Sequence, residues 1–282
     1  MSQTRAPPPA PLRTVFCTCG GLYGALVLRR LLACDALEIC AVVRSSRVLD
    51  RRFGFLRGAL AQVRRCGIAY SLYLWCATTL ADGLFGLGGG PAVPARSAAR
   101  GLRVLTTRDI NSRDSLEFLA DCAPDLLVSA FFNQRVHDAA LALPTRGCVN
   151  IHPSLLPDAK GVDPVFQALL AGASTVGVTV HWMEPELDAG RIVAQRSLPL
   201  QTGASVFAMT AWLFREGAEL LAGAADALAR ADSGTPQYGP GSYQSWPTRR
   251  ELREFFARGG TLLRLSELAG LLRGRLPSRR CT

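Results

Sequence analysis

No stretch of this 282-residue sequence reads as a membrane span. The charge-free run CGIAYSLYLWCATTLA, residues 66–81, sits between Arg64-Arg65 and Asp82 and falls short of the roughly 20 residues a bilayer requires. The N-terminus, MSQTRAPPPAPLR, lacks the apolar core of a secretory signal, so residues 1–12 are expected to be a disordered lead-in and the protein cytoplasmic. Nine cysteines form an odd set with no repeated framework, which argues for a reducing compartment. Cys17 and Cys19 have no second pair at ligand spacing, so alternate strand positions are expected there rather than a metal. The glycines of Cys19-Gly20-Gly21-Leu22-Tyr23-Gly24 depart from the G-x-G-x-x-G order of a dinucleotide site. Lysine is nearly absent, with Lys160 the sole example among 32 basic residues.

Arginine therefore carries the net charge of +10, and it is concentrated at the two ends. Residues 1–65 hold eleven arginines against three acidic residues, and residues 249–282 nine against three. Such surfaces suit nucleic acid, a phosphorylated substrate or a membrane. No aromatic residues interleave with the arginines as a nucleic-acid platform needs, so solvated helix faces are expected.

With 49% hydrophobic residues the chain can bury a substantial core. Residues 13–18 read as a strand, the glycine-containing turn leads into a helix through residue 33, and residues 38–44 read as a second strand. This β-α-β unit predicts a parallel sheet. Residues 102–106 and 125–130 supply further strands. Asn111 or Ser112 caps a helix through Cys122, with Asp114 and Glu117 in its first turns as the dipole prefers. A helix over 162–171 and a long one over 205–231 follow. The expected fold is α/β, Rossmann-like, a mostly parallel sheet flanked by helices. A catalytic domain over 13–232 contains a helical insertion at about 45–100 and precedes a short C-terminal accessory segment, 233–282. Within the insertion, residues 66–81 are expected as a helix packed on the core, and the Gly- and Pro-rich stretch 83–94 as a loop.

The chemistry is concentrated in residues 147–192, GCVNIHPSLLPDAKGVDPVFQALLAGASTVGVTVHWMEPELDAGRI. Residues 148–151 read as the end of a buried strand that stops at His152-Pro153-Ser154, where proline removes a backbone N–H. Asn150 and His152 alternate across Ile151 and so share one face. A second strand, 176–183, runs into the acidic loop 184–190 and brings up Asp188. An amide, an imidazole and a carboxylate at strand ends suit acyl transfer to an amine. The first two can stabilise an oxyanion, while the third holds the imidazole and relays a proton through water. His181 on that strand reads as a buried support, and His137 as a residue at a helix start.

These residues resemble the tetrahydrofolate-dependent formyltransferases, which include glycinamide ribonucleotide formyltransferase, methionyl-tRNA formyltransferase and the sugar N-formyltransferases. The resemblance rests on Asn150-Ile-His152-Pro-Ser-Leu-Leu-Pro157, Gly161, Pro164, Gly172, Gly177, Thr179, His181 and Asp188-Ala-Gly190-Arg-Ile192, and is clear over residues 124–200. It implies Asn150, His152 and Asp188 as catalytic residues and 10-formyltetrahydrofolate as formyl donor. It also implies cofactor contacts at Asn133, Gln134, Arg135 and Val136, whose backbone would hold the pterin, and at Glu184 and Leu187. The expected reaction is transfer of the formyl group to a primary amine of a small molecule, sugar or amino acid. Aminoacyl-tRNA as acceptor is the alternative, supported by the basic ends. It is disfavoured because some fifty residues after Ser233 are too few for the RNA-binding barrel of a methionyl-tRNA formyltransferase. Hydrolysis of formyltetrahydrofolate is a further alternative, and a silent folate-binding scaffold another. The first loop departs from the Ser- and Asn-containing loop of the ribonucleotide enzyme, which counts against that substrate.

Overall fold

Strands dense in Val, Leu, Ile and Cys build the centre of the sheet, as burial on both faces requires. The computed structural model describes residues 10–48, 54–81, 83–84, 93–201 and 203–273. Its main sheet has seven strands in the order β3-β2-β1-β4-β5-β7-β8. These are β1 Leu12–Thr18, β2 Leu37–Ser45, β3 Arg103–Thr107, β4 Leu126–Ala130, β5 Gly147–His152, β7 Thr175–Trp182 and β8 Ile192–Pro199. The first five run parallel; β7 is antiparallel to β5, and β8 to β7. A second, two-stranded sheet pairs β6, Lys160–Gly161, with β9, Tyr243–Gln244, so the tail is stitched to the loop that follows β5.

Helices cover both faces. On one, α1 (Gly21–Leu31), the inner side of α2 (Phe55–Trp75), α6 (Pro164–Leu170) and α7 (Val206–Gly223) enclose a core containing Phe16, Val128, Val149 and Ile151. On the other, α4 (Arg113–Cys122) and α5 (Asp138–Leu141) cover Val15, Cys17, Leu127 and Cys148. The remaining helices are α3 (Val93–Ala99), α8 (Ala225–Ala229), α9 (Arg249–Ala257) and α10 (Leu265–Leu272). Ser112 caps α4 by accepting from the Ser115 N–H, as the sequence predicts.

Three elements differ from expectation. The 205–231 helix is broken at Ala224 (φ −96°, ψ 6°), directly after Gly223, a poor helix former. The 162–171 helix begins only at Pro164, because Asp163 adopts φ 45° as its N-cap and proline is tolerated in a first turn. The insertion helix starts at Phe55 rather than near residue 66, kinks at Gly67 (φ 80°, ψ 170°) and ends in a wider turn, Cys76–Leu80. It packs on the core as expected, through Cys66, Tyr70, Tyr73 and Ala77. Residues 1–9 of the lead-in and 85–92 of the Gly- and Pro-rich stretch lie outside the described residues, while Gly83, Leu84, Val93 and Pro94, expected in the loop, are helical. No helix among the described residues is long and apolar enough to cross a membrane.

Candidate active site

Registration between β5 and β7 assembles the polar face. Asn150 lies opposite His181, and His152 opposite Thr179, so all four side chains rise from the same side of the sheet. Val149, Ile151, Val178 and Val180 point the other way into the core beneath α7. Gly217 of α7 lets that helix rest against Ile151 and Val178, because a β-carbon there would sit 2.7 Å from Val178 Cγ2. The strand is thus clamped from below while its polar residues face the site.

The loop after β5 roofs this face. Thr179 Oγ1 donates to the Ser154 carbonyl (2.7 Å) and accepts from the Leu156 N–H (3.2 Å), while Gln195 Nε2 bonds Thr179 Oγ1 (2.8 Å) and the Leu156 carbonyl (2.9 Å). The Leu156-Pro157 peptide is cis. The loop then returns so that the Ala159 carbonyl meets His152 Nε2 at 3.0 Å. That contact assigns the proton to Nε2 and leaves Nδ1 facing Asp188.

Asp188 (φ 52°) lies between two imidazoles. Its Oδ1 is 3.8 Å from His152 Nδ1 and 3.6 Å from His181 Nε2, and its Oδ2 accepts the Gly161 N–H at 2.9 Å. Burial alone would raise its carboxyl. His152, His181 and the Gly161 N–H outweigh burial and hold it well below the usual carboxylate range. The carboxylate therefore acts on His152 by charge, while the Ala159 carbonyl fixes the ring. His181 is buried, and its Nδ1 lies 2.8 Å from the Trp182 carbonyl, to which it donates. Its Nε2 lies 3.6 Å from Asp188 Oδ1 and 3.3 Å from Asn150 Nδ2, so it engages at most one N–H of the Asn150 amide and leaves the other open.

The expected cofactor segments are brought beside one another. Arg135 reaches across to the Pro185 carbonyl (Nε, 2.9 Å), tying the 133–136 loop to the loop that carries Glu184, Leu187 and Asp188. The side chains of Asn133 and Gln134 are engaged within the protein. Asn133 bonds Ser45 and the Arg47 carbonyl, and Gln134 bonds Ser45, the Thr107 carbonyl and the Ile110 N–H. Val136 is buried in the second core. Leu187 is exposed. The 133–136 segment follows the carboxyl end of the parallel strand β4, where open parallel sheets bind ligands.

The sequence named Gly161 and Thr179 only through the resemblance and did not point to Ala159; Ala159 and Gly161 act through backbone atoms and Thr179 through its hydroxyl. Gln237, from the tail, donates to the carbonyls of Asp188 (2.9 Å) and Gly190 (2.7 Å) and so holds the catalytic loop closed. His137 stands at the N-cap of α5, its N–H on Asn111 Oδ1, as expected. Burial pushes the thiols of Cys19 and Cys148 up to about 12, so neither is a thiolate nucleophile at neutral pH. A hollow of about 200 Å³ is lined by Ile192, Val193, Ala227, Asp232, Gly234 and Thr235, and none of the site groups described above lines it.

Residues 90–224 match the family described as Formyl transferase. Methionyl-tRNA formyltransferase of Moorella thermoacetica is 40% identical over 131 residues, 46% of this chain and 42% of that protein. The enzyme of the same name from Roseiflexus castenholzii is 41% identical over 140 residues, 49% of this chain and 45% of that protein. The chain thus spans less than half the length of these curated relatives. Among solved structures, glycinamide ribonucleotide transformylase 1 from Symbiobacterium toebii superposes with a TM-score of 0.56 at 18% identity, covering 84% of this chain and all of that one. A sugar 3N-formyl transferase crystallised with dTDP and 5-N-formyl-THF gives 0.53 at 13% identity, covering 85% of this chain and 71% of that one. At these identities the likeness is one of fold. Over residues 90–224, a little under half of its length, the chain is similar in sequence to the formyltransferase family, and it shares the fold of solved formyltransferases.

Proposed function

We propose that this chain is an N-formyltransferase that moves a formyl group from 10-formyltetrahydrofolate to a primary amine. The observation that carries this reading is the convergence of Asn150, His152 and Asp188 on one face of the β5–β7 pair, with Asp188 held ionised. The donor supplies an activated one-carbon unit. The open Asn150 N–H donates to the formyl oxygen as negative charge develops there. His152, fixed by the Ala159 carbonyl, takes up the proton of the attacking amine at Nδ1 through a water, Asp188 stabilises the resulting imidazolium, and the same proton is returned to N10 of the departing tetrahydrofolate as the formyl C–N10 bond breaks. Asn133, Gln134, Arg135, Val136, Glu184 and Leu187 would hold the folate through the two tied loops.

The assay is mass-spectrometric detection of a formylated amine after incubation with 10-formyltetrahydrofolate and a panel of amino sugars, amino acids and charged tRNA. Removing one oxyanion donor costs about 10²–10³ in rate, so Asn150→Ala should be nearly inactive while keeping the wild-type melting midpoint. A variant retaining half its rate removes the assigned role. Formate release without any amine would replace the reading with hydrolysis.

A second acceptor reading is favoured by the curated relatives, which carry the name methionyl-tRNA formyltransferase. It requires tRNA binding at low salt, where phosphate contacts are strongest. Absence of binding there removes it.

A further inference from the structure

The insertion helix α2 has two faces, and only one is used by the fold. Its inner side, with Cys66, Tyr70 and Tyr73, is part of the main core. Its outer side exposes Leu56 (80%), Leu60 (51%), Ile68 (75%), Leu72 (55%) and Trp75 (46%). Steps of four within 56–60 and 68–72 align these side chains as two apolar stripes, one on each side of the Gly67 kink. Exposed apolar side chains scattered singly need no explanation, but five on the outer side of one insertion mark an interaction surface.

The charge around the stripes indicates the partner. Residues 51–81 contain five arginines and no acidic residue. Arg57, Arg64 and Arg65 are exposed alongside the apolar residues, and Arg65 is anchored to Ser245 Oγ at 2.9 Å. A second copy of the chain would oppose arginines to arginines. A groove in another protein needs a helix free to insert, whereas this one is fastened along its inner side to the core. A flat, anionic, fluid surface takes stripes of Leu, Ile and Trp flanked by guanidinium groups without either conflict.

We propose that the outer face of α2 docks this protein on anionic lipid bilayers, with Leu56, Leu60, Ile68, Leu72 and Trp75 entering the headgroup and acyl boundary and Arg57 and Arg64 meeting lipid phosphates. The association is peripheral, since no helix among the described residues can span a bilayer. Its test does not depend on formyl transfer, because binding to vesicles is read without turnover.

The experiment is co-sedimentation of the full chain with vesicles of equal parts phosphatidylcholine and phosphatidylglycerol at physiological salt. The triple variant Leu60→Ser, Ile68→Ser, Leu72→Ser leaves the charge unchanged and should bind at least tenfold more weakly. Arg57→Gln with Arg64→Gln should lose about fivefold per arginine. The emission of Trp75 should shift to the blue on these vesicles in wild type, and the shift should vanish in Trp75→Phe, which tests the geometry without the triple variant. Wild type that stays in the supernatant overturns the proposal. So does a triple variant that binds as wild type, which would reduce the effect to adsorption of a basic protein. A dimer in sedimentation equilibrium that the triple variant dissociates, with no vesicle binding, would assign the stripes to a second copy and also overturn it.

Discussion

Asp188→Asn isolates the one charge on which the site depends. The amide has the shape of the carboxylate, so the Gly161 N–H, 2.9 Å from Oδ2, keeps an acceptor and the loop keeps its form. What disappears is a negative charge 3.8 Å from His152 Nδ1, on a side chain only 6% exposed. With an effective dielectric of about 20, that charge stabilises a protonated His152 by about 4 kcal/mol. The amide dipole returns part of this, leaving an expected loss of about 10²–10³ in kcat at about 1.4 kcal/mol per decade. The same substitution changes stability in a pH-dependent way. Asp188 has a folded pKa below its unfolded value of about 3.9, so its stabilisation is complete above that value and is lost as pH falls through the folded one. The melting midpoint of Asp188→Asn should therefore fall below wild type at pH 7, and the gap should close only in strong acid. Formylation rates and melts from pH 2 to 8 test both statements. A variant within twofold of wild-type kcat would refute the charge-stabilised imidazolium, even if the melts behave as expected.

Two other perturbations probe the scaffold around the site. Gly217→Ala places a β-carbon against Ile151 and Val178, and overpacking of about 1–3 kcal/mol exceeds the gain in helix propensity of up to about 1 kcal/mol. Calorimetry should show a lower melting temperature and kinetics a lower kcat, because Ile151 lies between Asn150 and His152; no change in either would mean α7 does not clamp β5. Tyr70→Phe removes the 2.6 Å hydrogen bond to Asp163 Oδ2 and should cost about 1–3 kcal/mol. Burial already raises the Asp163 carboxyl, so the penalty should grow as pH rises and ionises the group, and a cost equal at pH 4 and pH 8 would contradict it.

Much of this architecture is legible in the sequence. The apolar runs of β1, β2, β4 and β5 mark a buried parallel sheet, and alternation puts Asn150 and His152 on one face, where the structure has them. The contacts of Asp188 are harder to foresee. His181 approaches it because β5 and β7 pair in one particular antiparallel register, which periodicity within either strand does not specify. Gly161 and Ala159 contribute backbone atoms, and a backbone atom has no residue signature. Gln237 arrives from 49 residues beyond Asp188. The early start of α2 was hidden by glycine and arginine at positions 57, 58, 64 and 65, which blur an apolar period whose hydrophobic residues also point outward. By contrast, Thr248 and Glu251 form a capping box that starts α9, a signal carried by the sequence itself.

The insertion and the tail do more than flank the site; they determine where Asp188 can sit. Gly161 holds Asp188 Oδ2 and adopts φ 97°, with Gln244 and Tyr243 so close that no side chain fits there. Its position is fixed by β6–β9 pairing on one side and by Asp163, two residues on, which caps α6 and accepts from Tyr70 of α2. Tyr70 lies on the inner side of the helix whose outer side carries Ile68 and Leu72. α2 is therefore linked to the Asp188 carboxylate through one side-chain hydrogen bond, three residues of backbone and one N–H. Because 1 Å of misplacement at a reacting centre can cost about 10²-fold, a bound surface can alter kcat through this path with no contact to either substrate.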